Sequence, residues 1–270
     1  MSRQAPMGKM KTLAPPEVQH ETKGQGMKRT WIAVLLMVGF MAAKVTQAQE
    51  DAAFKSTLSA GVTLTEGNSE TLQANVGLVT EGEKEGLGSV RAGIEANYGE
   101  STVDGVKETT VNNARAFAGV RKTITRRTFG ALDGSILQDD IADIDYRATL
   151  GPGLGTYLVK KEKTSLSIEA GPAYIWEEVA GVRDDYFALR FAERLDHTLS
   201  ETAKIWQSLE YLPRSDDFGD YLLNAELGVE AAMTTRLNLR LVLQNKHDST
   251  PGEGLEKNDL TLIAGISVSL

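Results

Sequence analysis

Charged side chains recur at alternate positions within apolar stretches of this sequence, a spacing that places them on one face of β-strands. Two chemical uses fit charges of both signs on the inner face of a closed barrel. They can pair with one another across the lumen, or they can select small solutes or ions in a narrow pore. The candidate lumen residues are Arg91, Glu95, Arg115, Asp145, Arg147, Glu169, Glu226, Glu230 and Arg240.

Catalysis is the alternative use of such residues. His247, Asp248 and Ser249 follow one another where a strand is predicted to enter a loop, and some outer-membrane barrels are lipases that use a histidine and a serine there. Serine catalysis needs a base within hydrogen-bond reach of the nucleophile and a third group that orients the base. A local string of three residues does not supply that arrangement by itself. We therefore expect no enzyme, and a lipase-like enzyme stays the catalytic alternative.

Metal and cofactor chemistry has no support in the sequence. The chain contains no cysteine, which removes disulfides, thiolate catalysis and cysteine metal ligands together. The acidic pairs at 184–185 and 216–217 lack the oxygen spacing and the glycine turn of a calcium loop. We interpret them as solvated, mutually repelling loop residues, and we expect neither a metal nor a cofactor.

The elements that position these residues are predicted to be β-strands. The segments 237–243 and 260–270 each alternate apolar residues with mostly polar ones, and no segment shows a sustained helical period. We predict an all-β, antiparallel transmembrane β-barrel of about twelve strands. The predicted strands are 54–65, 70–80, 87–98, 108–121, 128–138, 144–158, 164–176, 185–197, 203–213, 220–233, 236–245 and 258–270.

The predicted connections fall into two kinds, short periplasmic turns and longer outer loops, as is typical of outer-membrane barrels. The short ones lie near 81–86, 122–127, 159–163, 198–202 and 234–235. The longer ones, rich in Gly and Asp, lie near 99–107, 139–143, 177–184, 214–219 and 246–257.

Aromatic residues concentrate at the strand ends beside the predicted outer loops. Amphipathic rings favour a membrane interface, where one end of the ring is apolar and the other is wet. The predicted interface aromatics are Tyr98, Tyr146, Tyr174, Trp176, Tyr186, Tyr211 and Tyr221. Weaker candidates for the opposite rim are Phe54, Phe129, Tyr157 and Trp206.

One glycine-rich segment bears on the shape of the barrel wall. Gly151, Gly153 and Gly155 share one face of a strand, and no helical pattern follows them, so a phosphate-binding loop does not fit. Their spacing favours close packing or a bend. Pro152 lies between them and would face lipid, which predicts a bulge or a weakly paired register there.

The N-terminal region predicts export from the cytoplasm. An apolar run at 31–43 follows two basic residues and precedes a small-residue site ending at Ala48. This is the pattern of a secretory signal peptide. We predict an upstream extension over 1–26, a signal peptide over 27–48 and an outer-membrane barrel domain over 49–270.

Net charge limits the partners. Without residues 1–48, which hold seven basic and two acidic residues, the net charge falls from −8 to −13. A phosphate-binding surface should be basic, so we exclude nucleic acid, and the acidic excess favours weak cation preference in any pore. The predicted partners are outer-membrane lipid, lipopolysaccharide and the barrel-assembly machinery. The oligomeric state stays open.

Several short motifs carry a family resemblance. They are the turn at 65–69, the strand formed by Asp145-Tyr146-Arg147 and 151–155, the stretch at 166–171 and the terminal pair of alternating strands. Together they resemble the salt-induced outer-membrane protein family (YdiY-like), a domain family of unknown function. The resemblance implies an outer-membrane barrel without a defined activity. Leu270 departs from such barrels, which usually end in an aromatic residue read by the assembly machinery.

These observations favour an outer-membrane barrel with a structural or envelope-stress (salt-response) role, or one that forms a narrow pore for small solutes or ions. A soluble periplasmic barrel or β-sandwich binding protein is the other alternative, because short strands with period two occur in both classes.

Overall fold

The computed structural model describes residues 54–65, 69–84, 88–103 and 106–270. The predicted extension and signal peptide at 1–48 lie outside the described residues. In the described part of the chain, no helix is long and apolar enough to cross a membrane.

The described residues form strands joined by turns. The strands are β1 Lys55–Thr65, β2 Ser69–Lys84, β3 Gly88–Val103, β4 Val106–Thr123, β5 Thr128–Asp139, β6 Ile144–Lys160, β7 Thr164–Val179, β8 Val182–Thr198, β9 Ala203–Pro213, β10 Tyr221–Ala232, β11 Leu237–Asp248 and β12 Asn258–Ser269. Each predicted strand corresponds to one of them.

The sheet closes on itself. Every strand pairs antiparallel with its sequence neighbours, and β1 pairs with β12. The closing register is short and runs from Thr57 opposite Ser269 to Ala60 opposite Ile266. A closed barrel leaves no unpaired sheet edge. The predicted antiparallel barrel and its strand number are confirmed, and the β-sandwich alternative is wrong.

The wall of the barrel is uneven in height. Strands β2, β3, β4, β6, β7 and β8 have 16 to 18 residues, whereas β1, β5 and β9 to β12 have 11 or 12. A tilted membrane strand needs about 9–11 residues, so the tall strands extend beyond that length at one end or both.

The connection between the long strands β7 and β8 is shorter than predicted. The end of the barrel with connections 214–220 and 249–257 is called the long-loop end, and the opposite end is the short-turn end. At 177–184 the strands β7 and β8 continue into the predicted loop and meet in a two-residue turn. Ala180 and Gly181 have positive φ there, the backbone that a tight hairpin needs, so a long loop at this place is wrong.

The outward face of the strands is apolar. Leu239, Leu241 and Leu243 on β11 are exposed, whereas the intervening Val242 is buried. On β12, Leu260, Leu262 and Ile266 are exposed in the same way. An apolar surface of this extent is unfavourable in water and suits contact with lipid.

Pro152 affects the ladder without shifting its register. Leu150 pairs with Tyr174 and Leu154 with Ala170, but the residues between them, which include Pro152 and Pro172, make no ladder pairs between β6 and β7. A proline has no N–H to donate, so the two prolines interrupt the ladder at one level. The predicted weak pairing is confirmed there, and the bulges of this strand pair lie near Asp145 and Leu158 instead.

Candidate functional site

The lumen is the candidate site, because it gathers the charged side chains of most strands. Residues that pair across neighbouring strands point to the same face, so the inward positions can be assigned strand by strand. The inward basic residues are Lys55, Arg91, Arg115, Arg121, Arg147, Lys160, Arg190, Arg194, Lys204, Arg240 and Lys246. The inward acidic residues are Glu81, Glu83, Glu95, Glu108, Asp133, Asp139, Glu169, Glu177, Asp184, Asp196, Glu210, Glu226, Glu230, Asp248 and Asp259.

Arg190 on β8 is the centre of a buried ion cluster. Its Nη1 lies 3.1 Å from Glu169 and 3.3 Å from Asp133, and its Nε lies 2.6 Å from Glu210. Arg121 on β4 makes a second ion pair with Glu169. These contacts connect β4, β5, β7, β8 and β9 through the lumen. We call these five residues the Arg190 cluster.

A glycine on β6 makes room for this cluster. A Cβ on Gly155 would overlap the Phe129 ring and lie 2.8 Å from Cγ of Glu169. Phe129 is fully buried, and the guanidinium of Arg121 lies 5.2 Å from its ring centroid. The inward orientation predicted for the glycine face is confirmed at Gly155, and its physical reason is close packing.

A second lumen cluster surrounds Trp206 on β9. The indole Nε1 donates to Glu226 at 2.5 Å, and the Gln244 amide donates to the other carboxylate oxygen at 2.9 Å. Arg240 stacks over the indole at 5.0 Å. Gly228 faces the ring on β10, where a Cβ would overlap it. We call Trp206, Glu226, Gln244 and Arg240 the Trp206 cluster.

Two ion pairs cross the lumen between distant strands. Arg147 on β6 reaches Asp248 on β11 at 2.9 Å and also pairs with Glu177 on the neighbouring β7. Lys246 on β11 reaches Asp139 on β5 at 3.4 Å. Because β5 and β6 lie across the barrel from β11, these contacts bridge the lumen from wall to wall. We call them the cross-lumen bridges.

Apolar side chains also fill the lumen at the long-loop end. Ile175, Tyr186, Leu212 and Leu222 form a buried cluster with Ala173 and Ala188 inside the barrel. Arg214, the first residue of loop 214–220, covers this cluster by stacking over the Tyr186 ring at 4.3 Å.

The same arginine neutralises the acidic residues of this mouth. Arg214 pairs with Asp184 at 2.6 Å and with Asp216 at 2.9 Å. The hydrogen bond to Asp184 is the largest cause that raises the pKa of Arg214, so this residue stays charged. The interpretation of Asp184 and Asp216 as mutually repelling residues is wrong, because both bind the same cation.

The opposite side of the lumen is less tightly partnered. A small cavity there is lined by Ser59, Asn75, Glu95, Asn97, Arg240 and Gln244 among others. Nε of Arg240 and Nε of Arg91 are buried without a hydrogen-bond partner among the described residues. We call this region, on β1 to β3, β11 and β12, the cavity side.

The predicted lumen residues occupy several of these places. Glu169, Arg147, Glu226 and Arg240 lie in the clusters and bridges above. Glu230 pairs with Lys204 at 3.0 Å and accepts a hydrogen bond from Ser267. Glu95 and Arg115 face each other on β3 and β4, and Arg91 pairs with Glu81 at 3.8 Å.

Asp145 lies differently from the other predicted lumen residues. It is exposed at the long-loop end of β6 and has no register partner on β5 or β7. It is the extra residue of a β-bulge, which shifts the alternation of faces between Ile144 and Arg147. The strict period of two that placed Asp145 with Arg147 does not hold across a bulge.

Predicted interface aromatics form ring contacts on the outward face. Tyr174 contacts Trp176 and Phe187 at 4.7 and 4.6 Å, and Tyr211 contacts Phe191 and Tyr221 at 6.4 and 5.3 Å. We call these six residues the outward aromatic belt.

Two other predicted interface tyrosines lie outside the belt. Tyr98 is on an outward position of β3, where its hydroxyl donates to Glu100 at 3.0 Å. Tyr146 pairs with Glu178 across β6 and β7.

Three aromatic residues are buried in the lumen, against expectation. Tyr186 belongs to the apolar cluster. Phe129 and Trp206, two of the four weaker rim candidates, belong to the lumen clusters. The sequence held a signal for Tyr186. Phe187, Leu189 and Phe191 alternate on β8 and are exposed, so the intervening Tyr186, Ala188 and Arg190 must point inward. The same argument would have found Arg190.

The serine-triad string is separated by the alternation of faces. His247 points outward, stacks on Tyr221 at 5.2 Å and shares a hydrogen bond with Asn258. Asp248 points inward to Arg147, and the Ser249 hydroxyl accepts a hydrogen bond from the Tyr221 N–H. The three side chains therefore do not form a nucleophile, base and orienting group.

Leu270 lies at the closing seam of the barrel. Its N–H donates to the carbonyl of Ser56 at 2.9 Å, and its side chain is exposed. Within the described residues, no group of three or more histidine or acidic side chains could hold a metal ion.

Comparisons with known proteins agree with this architecture. Residues 58–270 match the family described as "Protein of unknown function, DUF481". The NanC porin structure is similar at TM-score 0.51 and 9% identity, over 80% of this chain and 100% of that chain. This likeness shows the fold alone.

Further solved barrels match more loosely. The KdgM porin has TM-score 0.43 and 10% identity, over 81% of this chain and 99% of that chain. The translocator domain of the autotransporter NalP from Neisseria meningitidis has TM-score 0.45 and 12% identity, over 89% and 97%. No curated protein matches the sequence.

Proposed function

Since the chain belongs to the DUF481 family, whose function is unknown, we propose a function from the geometry of its lumen. The protein is an outer-membrane barrel that forms a narrow pore for small ions or solutes, with a weak preference for cations. The cross-lumen bridges hold this pore in a constricted state.

The apolar outward face supports the membrane location. Exposed leucines and isoleucines alternate with inward polar residues on β11 and β12, and the outward aromatic belt lies toward the long-loop end of the barrel. This combination is the pattern of strands that face hydrocarbon on one side and water on the other. The signal peptide predicted over 27–48 supplies the export that this location requires.

The charge of the lumen carries the proposal of cation preference. Inward acidic residues outnumber inward basic ones, and most of the basic residues are paired. Rings of carboxylates favour cations in narrow pores. The cavity side supplies the polar path, because Asn75, Asn97 and Gln244 line it beside Glu95.

A purely structural barrel is the second candidate, and the cross-lumen bridges favour it. The bridges Arg147–Asp248 and Lys246–Asp139 connect opposite walls and narrow the lumen. A barrel with a structural role needs no open lumen. Conductance separates the two candidates.

The test is conductance of the purified barrel in planar bilayers under a KCl gradient. We expect small, cation-selective steps. The double variant Asp139→Asn/Lys246→Gln removes both charges of one bridge, so its conductance should increase. The matched control Glu178→Gln/Arg183→Gln removes an exposed pair at the β7–β8 turn and should conduct like the parent. Absence of conductance in all three proteins would favour the structural role, and anion selectivity would contradict the cation preference.

The proposed partners follow from the location. Outer-membrane lipid and lipopolysaccharide would surround the apolar face, and the barrel-assembly machinery would read β12 together with Leu270, which follows it. Leu270→Phe should speed insertion, followed as the fraction of protein that migrates differently on a gel before and after boiling. An unchanged rate would weaken the proposed role of this residue.

A salt-response role is proposed on the sequence resemblance alone. A deletion strain that grows like its parent in high salt would contradict it.

A further inference from the structure

One acidic residue lies inside the apolar outward face. The outward residues of β8 include Phe187, Leu189, Phe191, Glu193 and Leu195. The register neighbours of Glu193 are apolar as well, Ile168 on β7 and Leu209 on β9. Among the described residues, Glu193 is the only acidic residue whose outward neighbours along and across the strands are all apolar.

Glu193 has one hydrogen-bond partner within its own chain. The amide nitrogen of Gln207, which faces outward on β9, donates to its carboxylate at 3.2 Å. A carboxylate can accept about four hydrogen bonds, and an amide has a second N–H and a carbonyl. The pair therefore offers further donors and acceptors to whatever covers it. Polar groups without a hydrogen-bond partner are unfavourable in hydrocarbon.

An apolar groove lies beside this pair. It has a volume of about 530 Å³ and is lined by Leu154, Ile168, Ala170, Phe191, Leu209 and Tyr211 among others. Phe191 is also nearly half exposed, so its ring forms a ridge at the edge of the groove. The face thus combines a concave apolar surface, an apolar ridge and a polar pair.

We propose that the face formed by Glu193, Gln207 and this groove binds a second copy of the chain within the membrane. Two copies related by a twofold axis present the same patch to each other. Each Gln207 amide then donates to the Glu193 carboxylate of the partner. Polar side chains hold membrane-spanning segments together through such hydrogen bonds.

A second copy fits this face better than a lipid does. Lipid headgroups lie at the membrane surfaces, whereas Glu193 is separated from one end of β8 by Phe187, Leu189 and Phe191 and from the other end by Leu195. Acyl chains have no donor for a carboxylate. The self-complementary donor and acceptor pair supplies one at the same depth in both copies.

This inference rests on the proposed function, because Glu193 faces lipid only if the barrel spans a membrane. The experiment therefore reads membrane insertion and association separately. The chain contains no cysteine, so a single engineered cysteine reports on contact between copies. Leu209→Cys places a thiol beside Glu193, and the matched control Leu262→Cys places one on the outward face of β12. Oxidative cross-linking is measured in outer-membrane vesicles.

We expect a disulfide-linked dimer with Leu209→Cys and only monomer with Leu262→Cys. Adding Glu193→Leu to Leu209→Cys should weaken association about tenfold, since it removes both intermolecular hydrogen bonds. The boiling-dependent gel shift should persist in that variant, because leucine suits a lipid-facing position.

Other results would overturn the inference. Inserted protein without cross-linking at position 209, or with equal cross-linking at 262, removes the interface and leaves the proposed function intact. Cross-linking at 209 that is insensitive to Glu193→Leu removes the role of the polar pair. A chain that is absent from the membrane fraction overturns the proposed membrane location itself.

Discussion

The two sides of the lumen differ in how their charges are partnered. In the Arg190 cluster, three carboxylates surround one buried guanidinium at 2.6 to 3.3 Å. On the cavity side, the amides of Asn75, Asn97 and Gln244 line the cavity beside Glu95. Nε of Arg240 has no hydrogen-bond partner there among the described residues. Both sides use the same inward positions of the same fold. The first side is densely packed, whereas the second keeps a small cavity.

The difference has a simple energetic origin. A buried charge is costly unless a counter-charge and hydrogen bonds compensate it. Arg190 meets that condition through residues on β5, β7 and β9, so its side of the lumen packs densely. Arg240 stacks over the Trp206 ring, and its Nε has no hydrogen-bond partner among the described residues. The two sides of the lumen therefore differ in how fully their charges are compensated.

The largest expected effect comes from the Arg190 cluster. Arg190→Met leaves Asp133, Glu169 and Glu210 facing one another without their shared cation. The free energy of unfolding should fall by about 3–5 kcal/mol, the cost of breaking a buried pair. Urea unfolding of the barrel refolded in lipid measures it.

The matched control is Arg183→Met, which breaks the exposed pair with Glu178. An exposed pair contributes little to stability, because water and salt screen its charges. Equal losses in the two variants would show that the Arg190 cluster is no more important to stability than a surface pair.

An intermediate effect is expected where a glycine accommodates the densely packed side. Gly155→Ala places a methyl group against Phe129, and overpacking of this kind costs about 1–3 kcal/mol. The control Gly134→Ala lies on the outward face, where a Cβ would meet its nearest atoms at 3.6 Å. Urea unfolding of both variants checks the prediction, which is contradicted if Gly155→Ala unfolds like the parent.

The smallest effect is expected on the cavity side. Arg240→Gln removes a positive charge from the proposed path, so the K⁺ to Cl⁻ permeability ratio should rise about twofold, as a Coulomb interaction of a few tenths of a kcal/mol predicts. Stability should fall less than in Arg190→Met, because no ion pair is lost and only the stack on Trp206 is removed. Reversal potentials under a KCl gradient measure the ratio.

The control for that measurement is Lys122→Gln. Lys122 faces outward at the short-turn end of β4, away from the lumen. A similar shift in both variants would mean that surface charge at the mouth, rather than the cavity side, sets the selectivity.

Strand positions were predictable because burial acts on every second residue. Phe187, Leu189 and Phe191 alternate with Tyr186, Ala188 and Arg190, and the structure separates these two sets onto opposite faces. The position of Tyr186 at a strand end predicts an interface residue, but its place in the alternation makes it point inward. Asp145 departs from its prediction for the opposite reason, since a bulge breaks the alternation there.

Ion partners were not predictable in the same way. Nothing local relates Lys246 to Asp139 or Arg147 to Asp248, because each pair joins strands that are far apart in the chain. Such pairing depends on strand tilt and on the curvature of the closed wall, which set the residues that meet across the lumen.

The sequence by itself determined the number of strands and most of their inward and outward faces, because apolar residues alternate with polar ones in each segment. It also determined their antiparallel order, because short connections make neighbouring strands pair. The tertiary structure alone decided which charges neutralise one another, which aromatic rings fill the lumen and which side of the lumen keeps a cavity. Those outcomes require barrel closure, since only closure brings β5 and β6 opposite β11 and converts a row of inward charges into bridges.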